Sequence, residues 1–266
     1  MDGMLRLTVL GTRGSCPVSG ADKRLFGGAS SCYMLEAGDQ TLFLDAGSGL
    51  LKVPSAALRG RRVTILLSHT HIDHILGLPC FSALTEQGRE IALYCRSCGD
   101  LDAAQQLARF LSPPLWPCRI GDYPARLLPC ELPEDFCLGD LRIRSAESDH
   151  PGGAALLRLD RAGKSLVYAT DFEANEAAAA RLIALAGGAD LLLCDAQFTE
   201  AEYDAHRGYG HSTAAMALRI ACEAGVGRLL LIHHAPARSD AELLAMERAL
   251  PDASARYARE GDVIEL

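Results

Sequence analysis

The sequence predicts an α/β fold, of the α+β kind, in which helices cover two β-rich halves from the outside. Short apolar runs, punctuated by glycine, proline and serine, recur in both halves and are typical of buried strands. Segments with helical spacing of apolar residues separate several of these runs. With 266 residues, 49% of them hydrophobic, the chain can bury one substantial core. We therefore expect a single domain over residues 1–266.

The first half of the chain is predicted to be mostly strand. Its apolar runs lie between turn residues, and the predicted strands cover residues 5–10, 32–36, 41–44 and 63–67. A helix is predicted over residues 101–110, where alanine, leucine and glutamine dominate. This helix should pack outside the sheet.

The second half repeats this pattern with more helix. Strands are predicted over residues 154–159, 165–169, 191–194 and 229–232. Helices are predicted over residues 173–186, 213–224 and 240–249, which are rich in alanine and leucine. The two halves together predict two sheets with helices outside them.

Residues 112–140 interrupt the pattern, because they contain six prolines. Proline removes a backbone donor and disrupts helices and central strands. We predict an irregular insertion or edge element here. It would form one wall of a substrate cleft or, equally well, a simple surface loop.

The most informative segment is the loop that follows the predicted strand at residues 63–67. Four potential metal ligands lie within six residues there: His69, His71, Asp73 and His74. Imidazole and carboxylate groups suit zinc, manganese or iron, and so many ligands exceed what one ion needs. Two ions roughly 3.5–4 Å apart can bind a bridging hydroxide and hold a phosphoryl or acyl oxygen. An isolated His-x-His is usually a solvated loop, but histidine is scarce in this chain and these ligands follow a strand directly.

Three later residues could supply the further ligands that a dinuclear site needs. His150 lies in a turn-rich loop, Asp171 follows the apolar run at residues 165–170, and His233 follows residues 228–232. Such positions, in loops next to strand ends, are where active sites are commonly built on a rigid sheet. His234 is an alternative ligand, but we favour His233 because it is the first residue after the strand.

This ordered set of residues resembles the metallo-β-lactamase superfamily. Residues 10–15, 44–49, 210–213 and 231–234 are similar to its phosphodiesterase branch, which contains the tRNA 3'-processing nucleases (RNase Z) and the cyclic phosphodiesterases of phosphonate utilisation. The similarity extends over residues 4–266. It implies a four-layer αββα sandwich, a single hydrolase domain and a metal centre at one edge of the sheets.

The resemblance also implies which ligands serve which ion. Three histidines would hold the first ion: His69, His71 and His150. A second set would hold the other: Asp73, His74 and His233. Asp171 would bridge the two ions, and Asp73 would also act as a catalytic residue that orients or deprotonates the metal-bound hydroxide. The expected cofactors are two divalent ions, Zn²⁺ or Mn²⁺, with iron as a further candidate.

Two other residues receive a role from their context. Asp45 resembles the family's carboxylate that orients a ligand histidine, and it would equally serve as a cap for a helix from Ser48 onward. His211 precedes an alanine-rich helix that Ser212 or Thr213 can cap, where the helix N-terminus favours a phosphate. His211 is therefore predicted to be catalytic, as the donor of a proton to the departing alkoxide.

The net charge and the lack of long apolar segments indicate which partners and which cellular compartment to expect. A net charge of −8 argues against a broad nucleic-acid-binding face, so nucleic acid is not the favoured partner. The basic cluster at residues 59–62 should face away from the metal loop. We see no secretory signal and no run of transmembrane length, so we expect a cytoplasmic protein without membrane contact. A homodimer is implied by the resemblance alone.

The ten cysteines are scattered and are expected to be free thiols in a reducing compartment. Cys95 and Cys98 form a Cys-x-x-Cys pair, which is half of a zinc knuckle, so an accessory zinc is an alternative for this pair.

The function predicted from these observations is hydrolysis of a small or cyclic phosphodiester, of the ribose or nucleotide cyclic phosphate type, by a two-metal phosphodiesterase. Three alternatives remain open: a nuclease that processes tRNA 3' ends, a thioester or lactone hydrolase, and a non-catalytic metal-binding carrier or scaffold.

Overall fold

The protein contains two seven-stranded β-sheets, seen in a computed structural model that describes residues 4–266. In chain order the strands are β1 (Leu5–Gly11), β2 (Cys32–Ala37), β3 (Gln40–Leu44), β4 (Arg62–Leu66), β5 (Glu90–Cys95), β6 (Arg126–Glu131), β7 (Asp135–Leu138), β8 (Leu141–Ser148), β9 (Ala154–Arg161), β10 (Lys164–Ala169), β11 (Leu191–Asp195), β12 (Leu229–Ile232), β13 (Ala255–Tyr257) and β14 (Val263–Glu265). The order in the first sheet is β14-β1-β2-β3-β4-β5-β6, and in the second β13-β12-β11-β10-β9-β8-β7.

Within residues 4–266, six α-helices accompany the sheets. They are α1 (Ile72–Ile75), α2 (Ala103–Phe110), α3 (Glu176–Ala186), α4 (Glu200–Tyr203), α5 (Ala214–Glu223) and α6 (Asp240–Arg248). No helix of residues 4–266 is both long enough and apolar enough to cross a membrane.

Three apolar cores among the described residues hold the layers together. The first lies between the sheets, where Leu35 of β2 and Leu157 of β9 belong to one buried cluster. The second covers the outer face of the first sheet and includes Leu107 of α2. The third covers the outer face of the second sheet, where Leu182 of α3 and Ile220 of α5 are buried. The predicted αββα sandwich is confirmed.

The strand directions create one edge suited to a site. β3 to β6 are parallel in the first sheet, and β10 to β13 are parallel in the second. Ligands in α/β folds bind beyond the carboxyl ends of such strands. Arg62 begins β4 and thus lies at the opposite end from the loop that follows the strand, as predicted for the basic cluster.

Of the two forms predicted for residues 112–140, an irregular insertion or an edge element, the edge element is found over the second part of the segment. Strands β6 and β7 form there, and each lies at one edge of a sheet. Pro129 lies inside β6, which is tolerated because an edge strand has one side without a partner. Residues 112–125 contain no strand, only a short 3₁₀ turn at Ile120–Asp122.

Candidate metal centre

The side chains predicted as metal ligands converge at the edge where the parallel strands end. Three overlapping groupings of ligand atoms form there, two of which consist of predicted metal ligands alone, and the atoms within each grouping lie within 4.8 Å of one another. The first contains His69, His71, His150 and Asp171, and the second contains Asp73, His74 and His233. All seven side chains are therefore near neighbours, although they come from both halves of the chain.

The Asp171 carboxylate lies between the two groupings. Its Oδ1 atom lies 3.7 Å from Nε2 of His69 and 3.6 Å from Nε2 of His150. Its Oδ2 atom lies 3.0 Å from Nε2 of His74 and 3.1 Å from Nε2 of His233. Each oxygen faces a different set of imidazoles, which is the arrangement that a bridging ligand requires.

Three residues of the site adopt left-handed backbone conformations. Asp45, Asp171 and His233 have φ angles of 60°, 48° and 62°, and each lies within two residues of a strand end. Such conformations are uncommon for residues other than glycine and often occur at functional sites. Here the sharp reversal after each strand turns the side chain toward the shared edge.

Several buried polar atoms of the cluster have no hydrogen-bond partner among residues 4–266. They include Nε2 of His69, His74 and His233, and Oδ2 of Asp73. A buried polar group without a partner costs roughly 1–3 kcal/mol of stability. Four such atoms in one cluster therefore indicate that a ligand binds there. Imidazole nitrogens and carboxylate oxygens suit zinc, manganese and iron. The residues present therefore fit a centre of two divalent ions.

The electrostatics of the cluster also favour bound cations. Burial alone would lower the pKa of His233, but the charges of Asp171 and Asp73 outweigh it and raise that pKa to about 9. Burial would raise the pKa of Asp171, yet the nearby His233 and His74 hold it well below its usual range. The carboxylates are thus kept ionised and need positive charge. Bound metal ions would displace protons from these imidazoles.

Asp45 holds His74 in place. Its Oδ2 atom lies 2.6 Å from Nδ1 of His74 and also accepts hydrogen bonds from the hydroxyls of Ser68 and Tyr168. The opposite nitrogen of His74 is thereby directed into the cluster. The alternative in which Asp45 caps a helix is wrong, because the 3₁₀ helix at Ser48–Lys52 has Gly47 at its N-cap and no side-chain cap.

Replacing Asp45 with asparagine should weaken metal binding by about 10- to 100-fold, the usual effect of losing a group that orients a ligand histidine. Competition with a chromophoric zinc chelator measures this affinity. The matched control is Asp39→Asn in the exposed turn between β2 and β3. Unchanged zinc affinity in the Asp45 variant would show that His74 does not depend on this carboxylate.

His211 lies beside the ligand cluster and is oriented by a second carboxylate. Its ring stacks on that of His233 with a centroid distance of 4.9 Å. Its Nδ1 atom lies 2.9 Å from Oδ2 of Asp195, which leaves Nε2 available. Thr213 caps α5 by accepting a hydrogen bond from the backbone N–H of Met216. The structure thus places His211 as predicted, at the entrance of this helix.

Asp195 was not predicted as a site residue, although the sequence carries a signal for it. Asp195 ends the fully buried strand β11, just as Asp171 follows β10. A carboxylate after an apolar run identified Asp171, and the same reasoning applies to Asp195. Besides His211, this carboxylate accepts hydrogen bonds from the backbone N–H groups of Gln197 and Ser212.

Gly210 allows the loop before His211 to approach His150 closely. Its carbonyl oxygen lies 3.2 Å from Nδ1 of His150, and its φ angle is +86°. The Glu173 carboxylate accepts hydrogen bonds from the backbone N–H groups of Gly208 and Gly210 and thereby fixes this loop. Glu173 is a second site residue that was not predicted.

Replacing Gly210 with alanine should weaken metal binding, because the added Cβ would lie 2.0 Å from Nδ1 of His150 and displace that ring. Gly208→Ala is the matched control, since Gly208 has a φ of +84° but no atom within 4 Å of an added Cβ. Both variants should lose about 1–3 kcal/mol of stability from backbone strain, and only the Gly210 variant should also lose zinc affinity. Thermal melts and zinc titrations separate the two effects. Equal zinc affinity in both variants would contradict the prediction.

Two other sequence predictions concern residues near the cluster. His234 is turned away, because its Nε2 atom lies 2.8 Å from the carbonyl oxygen of Ala258, and burial lowers its pKa to about 3. Cys95 and Cys98 make separate thiol contacts, with Arg96 and Gly152 respectively. Among residues 4–266, the groupings that could hold a metal contain no cysteine.

Comparison with known proteins places this arrangement in context. The family described as the β-lactamase superfamily domain matches residues 41–234. A ribonuclease Z of Bradyrhizobium sp. (strain ORS 278) is 28% identical over 306 aligned positions, which cover 93% of this chain and 95% of that protein. The metallo-β-lactamase fold protein YhfI from Bacillus subtilis has a TM-score of 0.75 at 22% identity and full coverage of both chains. A diphosphatase from the PhnP family has a TM-score of 0.70 at 19% identity, with 99% of this chain and 97% of that chain covered.

Proposed function

This chain belongs to the metallo-β-lactamase superfamily, and we propose that within it the protein is a two-metal phosphodiesterase that hydrolyses a small or cyclic phosphodiester. Its family and structural neighbours include metal-dependent hydrolases, and its fold implies divalent metal binding. The observation that carries the proposal is the position of His211, oriented by Asp195 beside the ligand cluster.

The ligand cluster would hold the ions through His69, His71 and His150 on one side and Asp73, His74 and His233 on the other, with Asp171 between them. Zn²⁺ or Mn²⁺, or alternatively iron, would supply an activated water and charge stabilisation for the phosphoryl oxygens. The Asp73 carboxylate is held ionised, since its histidine neighbours lower its pKa although burial opposes this. An ionised Asp73 can orient the attacking water by accepting a hydrogen bond from it, and since its lowered pKa makes it a weak base, the ions would have to acidify that water before Asp73 could take its proton.

The leaving group would be protonated by His211. The Asp195 carboxylate occupies the Nδ1 side of the ring, so a proton carried on Nε2 can be donated to a departing alkoxide. The N-terminus of the ten-residue helix α5 lies directly after this residue and contributes positive potential that favours a phosphate. Acyl transfer has no need of a histidine placed in this way, so the geometry favours phosphodiester chemistry over the thioester and lactone alternative.

The proposed substrate is small because the chain carries a net charge of −8, which does not favour a long polyanion. A nuclease that processes tRNA 3' ends is the second candidate, and the similarity to a ribonuclease Z along 93% of the chain supports it. A carrier or scaffold role is less well supported, since the ligand set and His211 are all retained.

The test is turnover by purified protein loaded with zinc or manganese. Bis(p-nitrophenyl) phosphate and ribose 2',3'- and 1,2-cyclic phosphates should be hydrolysed, and a chelator should abolish the activity. Cleavage of precursor tRNA with these compounds left intact would favour the nuclease. Hydrolysis of thioesters or lactones alone would reject phosphodiester chemistry, and an inert protein with two bound ions would indicate a carrier.

A further inference from the structure

We propose that Tyr168 is a positioning residue of the metal centre and acts through the Asp45 carboxylate. The Tyr168 hydroxyl fixes Asp45, and Asp45 in turn fixes the ligand His74. Tyr168 itself belongs to none of the groupings of residues 4–266 that could hold a metal. This inference rests on the two-metal centre of the proposed function and goes beyond it, because it holds whichever substrate is hydrolysed.

Tyr168 lies in the interior of the second sheet. Its strand β10 pairs with β9 on one side and with β11 on the other, and the side chain is fully buried in the core between the two sheets. Its hydroxyl donates a hydrogen bond of 2.6 Å to Oδ2 of Asp45, which directly follows β3 of the first sheet. This hydrogen bond therefore joins the two sheets at the end of the core next to the metal centre.

The Tyr168 hydroxyl completes a closed ring of contacts around His74. Oδ2 of Asp45 lies 2.6 Å from Nδ1 of His74, and Oδ2 of Asp171 lies 3.0 Å from Nε2 on the other side of the same imidazole. Asp171 comes three residues after Tyr168, just beyond the end of β10. Both carboxylates that flank His74 are thus tied to β10, Asp171 through the backbone and Asp45 through the tyrosine.

The other donors to Asp45 cannot replace this link between the sheets. Asp45 also accepts hydrogen bonds from the backbone N–H of Ser68, at 2.6 Å, and from the Ser68 hydroxyl, at 2.8 Å. Ser68 follows β4, so it holds Asp45 relative to the first sheet and not relative to Asp171. Groups that orient a metal ligand tune the affinity for the metal. Loss of the Tyr168 hydroxyl should therefore let His74 shift relative to Asp171 and weaken metal binding.

Tyr33 of β2 offers a matched comparison in the same core. It is fully buried, and its ring centroid lies 5.3 Å from that of Tyr168. Unlike the hydroxyl of Tyr168, that of Tyr33 has no hydrogen-bond partner among residues 4–266. Replacing either tyrosine with phenylalanine removes one oxygen atom from this part of the core, but only the change at Tyr168 removes a hydrogen bond to Asp45.

Zinc titration of the full chain, in competition with a chromophoric chelator, tests the proposal. Tyr168→Phe should weaken zinc binding by about tenfold, the lower end of the range for groups that orient a ligand histidine. Tyr33→Phe should stay within about twofold of the wild-type affinity, because it breaks no hydrogen bond. Circular dichroism of the metal-free proteins verifies that both variants are folded. Equal zinc affinities in the two variants would overturn the proposal.

A double-mutant cycle separates an action through Asp45 from a general effect on the core. Adding Tyr168→Phe to Asp45→Asn should weaken zinc binding by no more than about threefold, because the carboxylate that Tyr168 positions is already absent. An undiminished loss in this background would contradict the proposal, since Tyr168 would then act by another route. Failure of the proposed function alone would look different: no phosphodiester would be hydrolysed, whereas the difference in zinc affinity between the two tyrosine variants would persist.

Discussion

Replacing Asp171 with asparagine is expected to abolish binding of both ions and to reduce phosphodiesterase activity by about 10³-fold or more, a loss typical of an essential electrostatic group. Each oxygen of this carboxylate faces a different set of histidines. An asparagine keeps the shape but offers one neutral oxygen, so it cannot neutralise two cations. Metal analysis and steady-state kinetics measure the two losses.

The same variant should also lose the stabilisation that metal supplies. Ions bound to the folded state alone would stabilise it by about 2.7 kcal/mol at a free concentration one hundred times Kd. Chelation should therefore lower the melting temperature of the wild-type protein and leave that of Asp171→Asn unchanged. Asp204→Asn, which alters an exposed carboxylate paired with Arg207, serves as the control and should behave as wild type. Two retained ions in the Asp171 variant would show that this residue does not bridge them.

Replacing His211 with alanine should reduce hydrolysis of ribose cyclic phosphates by about 10²- to 10⁴-fold, the usual contribution of a general acid. The loss should be much smaller for bis(p-nitrophenyl) phosphate, because p-nitrophenolate departs readily without a proton. A larger loss for the cyclic phosphates than for bis(p-nitrophenyl) phosphate would therefore identify His211 as a proton donor and not only as a residue that shapes the site. An acyl hydrolase would be nearly indifferent to the change.

The metal content of the His211 variant supplies the decisive second measurement. His211, Asp171 and His233 also form a grouping that could hold an ion. If His211 acts on the leaving group, the variant keeps both ions. Loss of one ion would make His211 a ligand, and equal losses for both substrates would argue against proton donation. His206→Ala, a histidine of the preceding loop that stacks on Phe198, is the control.

The fold was largely predictable because most strands are both apolar and buried. The strand predicted at residues 229–232 matches β12, all four residues of which are buried. Three of the strands that were not predicted, β6, β13 and β14, give weaker signals. β13 and β14 have three residues each and lie at sheet edges, where fewer apolar residues are required. β6 contains a proline, which argues against a central strand but is compatible with an edge strand.

The site was predictable to the extent that its residues lie at strand ends. The resemblance to the superfamily, drawn from the motifs, is confirmed, and the structure brings all seven predicted ligands together. Glu173 was missed because its role depends on partners far along the chain, such as the N–H group of Gly210. Asp195, by contrast, ends an apolar strand and was identifiable by the reasoning that found Asp171.

The order of the ligands along the chain has a consequence for biosynthesis. All members of the first grouping have been translated once Asp171 has emerged from the ribosome, whereas the second requires His233. His233 follows β12, which pairs with β11 inside the second sheet. A nascent polypeptide therefore cannot complete its second ion-binding position until that late strand has docked, so a protein truncated before it would hold at most one ion and should lack hydrolytic activity.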